Sequence, residues 1–222
     1  MKQAPKGKKQ TYMTNLQDLQ QKLVTEATSV SPVRPVRDAL LVILVLAAVV
    51  VGWVAAHVLF LDVPMAPMDI QMKAMALKVL GLLVMLNMHV ICIPHILRSY
   101  RYGWYTLALL GITALFVAIL ILQMILDGVD PMIWEDWKVC AETFLLALGM
   151  TLIGFYMMRR AAPCTPFRFG VLAGLAASLM AIAAQLMLTP AMEADKVLFT
   201  FVAPAAVVVL GAGVFGKILW RW

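Results

Sequence analysis

Charge is scarce in this sequence: Asp, Glu, Lys and Arg make up only 14% of its 222 residues. Ordinary globular domains carry about 25%. Cysteine is scarcer still, with three copies, too few for a disulfide-built secreted scaffold. Catalytic signatures are missing too. The chain has no HExxH, GxSxG, P-loop or CxxC pattern, which argues against an enzyme and against a bound cofactor. Within the apolar runs Glu142 is the one acid, and it lies near a run's end. Proton-coupled transport usually needs a carboxylate at mid-membrane depth, and none is available.

What is present is apolar. Hydrophobic residues make up 63% of the chain, and the mean hydropathy is +0.90. Disorder and collagen-like structure are excluded by that composition. One soluble core does not hide so much apolar surface, so the chain reads as an integral membrane protein.

Residues 1–38 form a polar arm, and the first apolar run starts at Ala39, too late for a secretory signal peptide. The arm is therefore expected to be retained. Six apolar runs follow, at about 39–61, 74–97, 104–126, 139–158, 169–188 and 197–220. Each is long enough at 1.5 Å per residue to cross a hydrocarbon core of about 30 Å. The expected fold is all-α: a polytopic bundle of six transmembrane helices over 39–222, preceded by a short amphipathic cytoplasmic helix.

Orientation follows from the basic residues. With the N-terminus inside, 14 of the 18 Lys and Arg fall on the cytoplasmic side. Asp62, Asp69, Asp127, Asp130, Glu135, Asp136, Glu193 and Asp195 fall on the other. The positive-inside rule gives both termini a cytoplasmic location. The net charge of +6 is thus a topology signal, and direct contact with nucleic acid is not implied.

The arm carries a helix signature at about 14–29. Thr14 and Gln17 fit a capping box, and Leu16, Leu19, Leu23, Val24 and Ala27 form one apolar stripe. The segment VRPVR at 33–37 reads as a stiff basic joint to the membrane. A lone helix with such a stripe lies on the bilayer, docks on the bundle, or binds a partner's groove. Absence of Trp and Phe from the stripe weakens the first reading.

Several polar groups share one depth, within about a turn of the outer surface: His57, Lys78, Gln123, Cys140, Glu142 and Gln185. One reading is side chains that snorkel to the interface. The sharper one is a shallow outward-facing pocket with Lys78 and Glu142 paired. A bis-His haem does not fit, because His57, His89 and His95 lie at about 6, 22 and 31 Å from that surface at 1.5 Å per residue. Met65, Met68, Met72 and Met75 run through the first outer loop. Thioethers there are weak candidates for capturing Cu(I); the alternative is apolar filler. Gly170, Gly174 and Ser178 form a small-residue stripe that permits close helix contact.

Four features then carry a family resemblance. The arm runs from its leucine helix into Pro32-Val33-Arg34 and Pro35-Val36-Arg37. Trp134, Trp137 and Cys140 stand at the outer start of the fourth run. Residues 159–178 read RRAAPCTPFRFGVLAGLAAS, and the chain ends GKILWRW. The chain resembles the NrsF family of six-helix bacterial inner-membrane anti-sigma factors. The resemblance implies a protein that holds an extracytoplasmic-function sigma factor through its arm, at Leu16, Leu19, Leu23 and Val24. It releases that partner in a stress response to an outside signal. The family pairs a cysteine at the start of helix 4 with a His-Cys at the outer end of helix 5. Cys140 fits the first. Residues 186–190 read Leu-Met-Leu-Thr-Pro, so the second thiol is missing and Met187 is the nearest substitute. The expected sensing group is Cys140, Glu142, Lys78, His57 and Met187. The alternative function is a structural or assembly subunit of a larger membrane complex; homo-oligomerisation is left open.

Topology is directly testable. Reporter fusions after Arg160 and Trp222 are expected to read cytoplasmic, and fusions near Asp69, Asp130 and Glu193 external. An external C-terminus breaks the six-helix count.

Overall fold

Inside lipid no water pairs with backbone N–H and C=O groups, so long apolar runs pair them internally as helices. The computed structural model describes residues 35–91, 101–127, 137–158, 165–189 and 194–219, and every regular element among them is helical. They are α1 (Pro35–Phe60), α2 (Met68–Ile91), α3 (Arg101–Asp127), α4 (Trp137–Met157), α5 (Pro166–Leu186) and α6 (194–219). All belong to one compact unit, Pro35–Trp222.

Two boundaries differ from expectation. Pro35–Arg37 is the first turn of α1 rather than a joint before it, because proline's fixed φ and missing N–H suit the first helical position. The second helix starts at Met68, so Met68, Met72 and Met75 lie on α2 and only Met65 remains in the loop. Pro67 sets that start: its carbonyl accepts from the Ile70 and Gln71 N–H groups, both at 3.0 Å. Asp69 in the first turn suits the helix dipole.

Helix α6 is interrupted. Ala194–Val197 and Ala203–Leu219 are α-helical, and Leu198–Val202 forms a π-helical turn between them. Pro204 explains it. Its nitrogen has no proton for the Thr200 carbonyl four residues back, and its ring crowds that carbonyl. The chain widens instead, and the Ala203 N–H reaches the Leu198 carbonyl.

Five helices are long and apolar enough to cross a membrane, and they mark the chain as a membrane protein: α1, α3, α4, α5 and α6. Helix α2 is not among them. It has 24 residues, about 36 Å at 1.5 Å each, but bears Asp69, Lys73, Lys78 and Asn87.

Helix α5 is the hub. It packs on α6, α2, α4 and α1, and 83% of its span is buried, against 6% for α3. Its sequence explains why: GVLAGLAASLMAIAA offers small residues on every side, so four neighbours come close. Helix α3 lies outermost, against α2 and the first turns of α6. Thr106 donates to Asn87 Oδ1 at 3.0 Å and ties the start of α3 to the end of α2. The other polar side chains mostly satisfy themselves locally: Thr113, Thr143 and Thr151 donate to the carbonyl four residues back.

The tightest contact joins α5 to α6. A Cβ on Gly170 would collide with the Ala212 carbonyl, and one on Gly174 would lie 2.8 Å from the Ala212 Cβ. Around Gly211, on the same two-helix unit, there is open space. Gly170→Ala is therefore expected to cost about 1–3 kcal/mol by forcing the helices apart. Gly211→Ala is expected to be neutral or stabilising by up to about 1 kcal/mol. Unfolding of both variants in detergent micelles checks the contrast; equal stability of the two refutes the close-contact account.

Candidate functional site at the polar end of the bundle

One end of the bundle gathers the end of α1, the starts of α2, α4 and α6, and the end of α5. The backbone fixes this. The loop after α1 turns at Asp62, whose φ of 50° is one of the left-handed conformations aspartate tolerates. The His57 carbonyl accepts from both Leu61 and Val63 N–H, each at 3.2 Å. The Ala66 N–H then donates to the Met187 carbonyl at 2.9 Å, which ties the loop to the last turn of α5. Gln71 Nε2 donates back to the Ala66 carbonyl at 2.7 Å.

Glu142 is the centre of the site. Its Oε2 lies 3.7 Å from His57 Nε2 and accepts from Gln185 Nε2 at 3.4 Å. Three helices, α1, α4 and α5, thus meet through three polar side chains. His57 and Glu142 are 13% and 25% exposed, so the contact is partly shielded from water. The other imidazole nitrogen, Nδ1, is 3.0 Å from the Trp53 carbonyl. A carbonyl only accepts, so Nδ1 carries a hydrogen. An attractive Nε2 contact then needs a further proton, on the imidazole or on the carboxyl group. The Trp53 indole packs on the His57 ring at a centroid distance of 4.6 Å and a tilt of 42°, which limits the ring's rotation.

Cys140 lies half a turn away on α4 and faces α6. It is half-buried and free, and its Sγ sits 4.0 Å from the Phe199 carbonyl. Phe199 belongs to the π-helical turn, where widening loosens the helix's own hydrogen bonds. Among the described residues no three His, Cys, Asp or Glu side chains form a metal-holding group.

The comparison with known families bears on this arrangement. The model of a family described as NrsF, negative regulator of sigma F, matches residues 23–222, which include every helix described above. The chain belongs to the NrsF family. No curated protein and no solved structure matches it. NrsF is a family of regulators rather than enzymes, and its description makes this chain a negative regulator of a sigma factor.

Of the residues expected to sense, the structure joins His57 to Glu142 and adds Gln185 and Trp53. Lys78 is half-buried on α2 and makes no ion pair with a described residue; Glu142 pairs with His57 instead. Met187 enters through its backbone carbonyl. Met65, Met68, Met72 and Met75 are all exposed, the last three along one side of α2 at spacings of four and three. Leu16, Leu19, Leu23 and Val24 lie outside the described residues, as do Cys92, His95, Cys164 and the side chain of His89. Trp53 is the member that sequence reading passed over. Its place four residues before His57, one helical turn, was the available signal.

The pairing predicts a coupling energy. In a double-mutant cycle of His57→Phe with Glu142→Gln, followed by unfolding in detergent, about 0.5–1 kcal/mol of coupling is expected. The parallel cycle of Lys78→Gln with Glu142→Gln is expected to be additive. Coupling in the second cycle and none in the first reverses the assignment of Glu142's partner.

Proposed function

We propose that this chain is a six-span anti-sigma factor of a bacterial inner membrane. It holds an extracytoplasmic-function sigma factor at the cytoplasmic face and releases it on an external stress signal. The family match over residues 23–222 carries this reading. The distribution of charge supports the placement: 14 of 18 Lys and Arg fall on the side of the arm. On this reading α2 is the sixth span, with Lys73 near the outer surface.

The arm supplies the binding element. Leu16, Leu19, Leu23 and Val24 present one apolar stripe, which inserts into a groove of the sigma factor as amphipathic helices do. The partner is held by contact alone, with no chemistry performed on it. The outer end supplies the sensor. Cys140 is the thiol reachable from outside, next to the π-helical turn and half a helical turn from Glu142 of the His57–Glu142–Gln185 cluster. A soft metal ion or a thiol oxidant acts there. Release then requires two bundle states that differ in affinity for the signal.

One reporter strain tests both halves. It carries the full-length protein, the sigma factor and a sigma-dependent promoter. Truncating a buried anchor to alanine typically costs about 2 kcal/mol or more. Leu19→Ala with Leu23→Ala is therefore expected to switch the promoter on without stress and to lose sigma-factor pull-down. Cys140→Ser is expected to keep pull-down and to blunt induction by soft metals and thiol oxidants. Full pull-down by the double leucine variant removes the arm from the interface. Full induction in the serine variant moves the sensor elsewhere.

A further inference from the structure

The outermost helix, α3, does not close on α2. Between them lies a groove of about 680 Å³, within the range of small-ligand sites. Its walls are Leu80 and Leu83 from α2 and Ile112, Phe116 and Ile119 from α3, and Leu186 and Val197 lie at its back. Its polar lining gathers at one end: Asp69, Lys73 and Gln123. Among the described residues none of these three side chains has a hydrogen-bond or ion-pair partner.

We propose that this groove is a phospholipid site, which takes one acyl chain between α2 and α3 and a phosphoethanolamine headgroup at Asp69, Lys73 and Gln123. Three observations select this occupant. The length fits: Lys73 to Leu83 is ten residues, about 15 Å at 1.5 Å each, half of a hydrocarbon core of about 30 Å. The charges fit. Asp69 and Lys73 are four apart on a helix and so are neighbours; the ammonium of Lys73 takes the phosphate, and the carboxylate of Asp69 takes the headgroup amine. The lining excludes alternatives. Water has no polar partners along the apolar walls. An extended peptide would bring unpaired backbone groups into hydrocarbon.

The site depends on the chain being embedded in a bilayer, and on nothing that the arm binds. With the N-terminus inside, the lipid comes from the outer leaflet. It fills the space that keeps α3 apart from α5, so α3 is held partly through a lipid.

The test uses the full-length protein in mild detergent, titrated with phosphatidylethanolamine and read by native mass spectrometry. Wild type is expected to keep one lipid per chain. Lys73→Glu, at an exposed position where folding is undisturbed, is expected to weaken retention at least fivefold. Leu80→Trp, which fills the groove, is expected to do the same. Leu210→Trp, on an exposed face of α6, is expected to bind as wild type does. Phosphatidylglycerol is expected to bind more weakly than phosphatidylethanolamine, and Asp69→Asn to remove that preference. Glycerophosphoethanolamine, which lacks acyl chains, is expected not to compete. Equal retention by wild type, Lys73→Glu and Leu80→Trp overturns the proposal, and so does displacement by the chain-free headgroup or by inorganic phosphate. A wild-type dimer lost in Leu80→Trp overturns it in favour of a second copy in the groove. Sigma-factor pull-down by Lys73→Glu is expected to be unchanged, so loss of the lipid site and loss of the proposed partner are read separately.

Discussion

Lipid tails are as apolar as leucine, so burying leucine gives transmembrane helices little reason to associate. Close backbone contact and polar contacts have to supply the attraction. In this protein the close contact is made by α5. Gly170 and Gly174 admit Ala212 and Val209 of α6 to distances that any side chain would forbid. On the opposite side Gly81 of α2 lies against Met180 and Ala176. Dispersion is steep in distance, so these approaches hold the bundle where apolarity alone does not. The positions of α1, α2, α4 and α6 are all set by reference to α5, and α3 follows from α2.

The two ends of the bundle differ as a result. At one end Gly216 of α6 lies against the Pro166 carbonyl and Gly170, with backbone on backbone. At the other, α6 is interrupted by a π-helical turn at Leu198–Val202, and each contact between helices involves a side chain: His57 with Glu142, Glu142 with Gln185, Cys140 with the Phe199 carbonyl. Backbone contacts of the first kind move only by separating helices. Side-chain contacts of the second kind rearrange by rotamer changes and proton movement at much lower cost. Responsiveness, on the proposed reading, is therefore confined to the outer end, and the glycine-packed end transmits motion as a rigid unit.

How much of this the sequence showed depends on what each feature needs. Membrane helices need only length and apolarity, so α1, α3, α4, α5 and α6 were visible. The approach of α5 to α6 needs small residues at fixed spacing, and Gly170 and Gly174 displayed it. Counting depth from the ends of the runs placed His57, Glu142 and Gln185 at one level. It did not say which of them touch. Depth is read along a helix axis, whereas pairing depends on rotation about the axis, and that is set by packing on α5. Lys78 had the right depth and charge, yet Glu142 meets His57. The π-helical turn had a local cause in Pro204, which sits inside the last apolar run and was passed over there. The stand-off of α3 has no local cause at all. Ala108, Gly111, Ala114 and Ala118 of α3 are exposed, so its small residues face away from the bundle. No pattern within α3 itself announces which face turns outward.

The three features of the polar end share one piece of backbone, and this ties their energetics together. On the last turn of α5, Gln185 touches Glu142 and the next residue, Leu186, lines the α2–α3 groove. The Leu188 N–H and the Thr189 N–H and hydroxyl all return to the Gln185 carbonyl, and Met187 holds the first loop through Ala66. At the start of α6, Val197 lines the same groove, and Phe199, two residues on, faces Cys140. A shift of this turn therefore cannot change the groove without moving a partner of Glu142, and a shift at Phe199 displaces Val197. On the proposed readings, a change at the thiol and a change in what fills the groove act on the same two turns. By linkage, whatever favours one arrangement of those turns at one site favours it equally at the other.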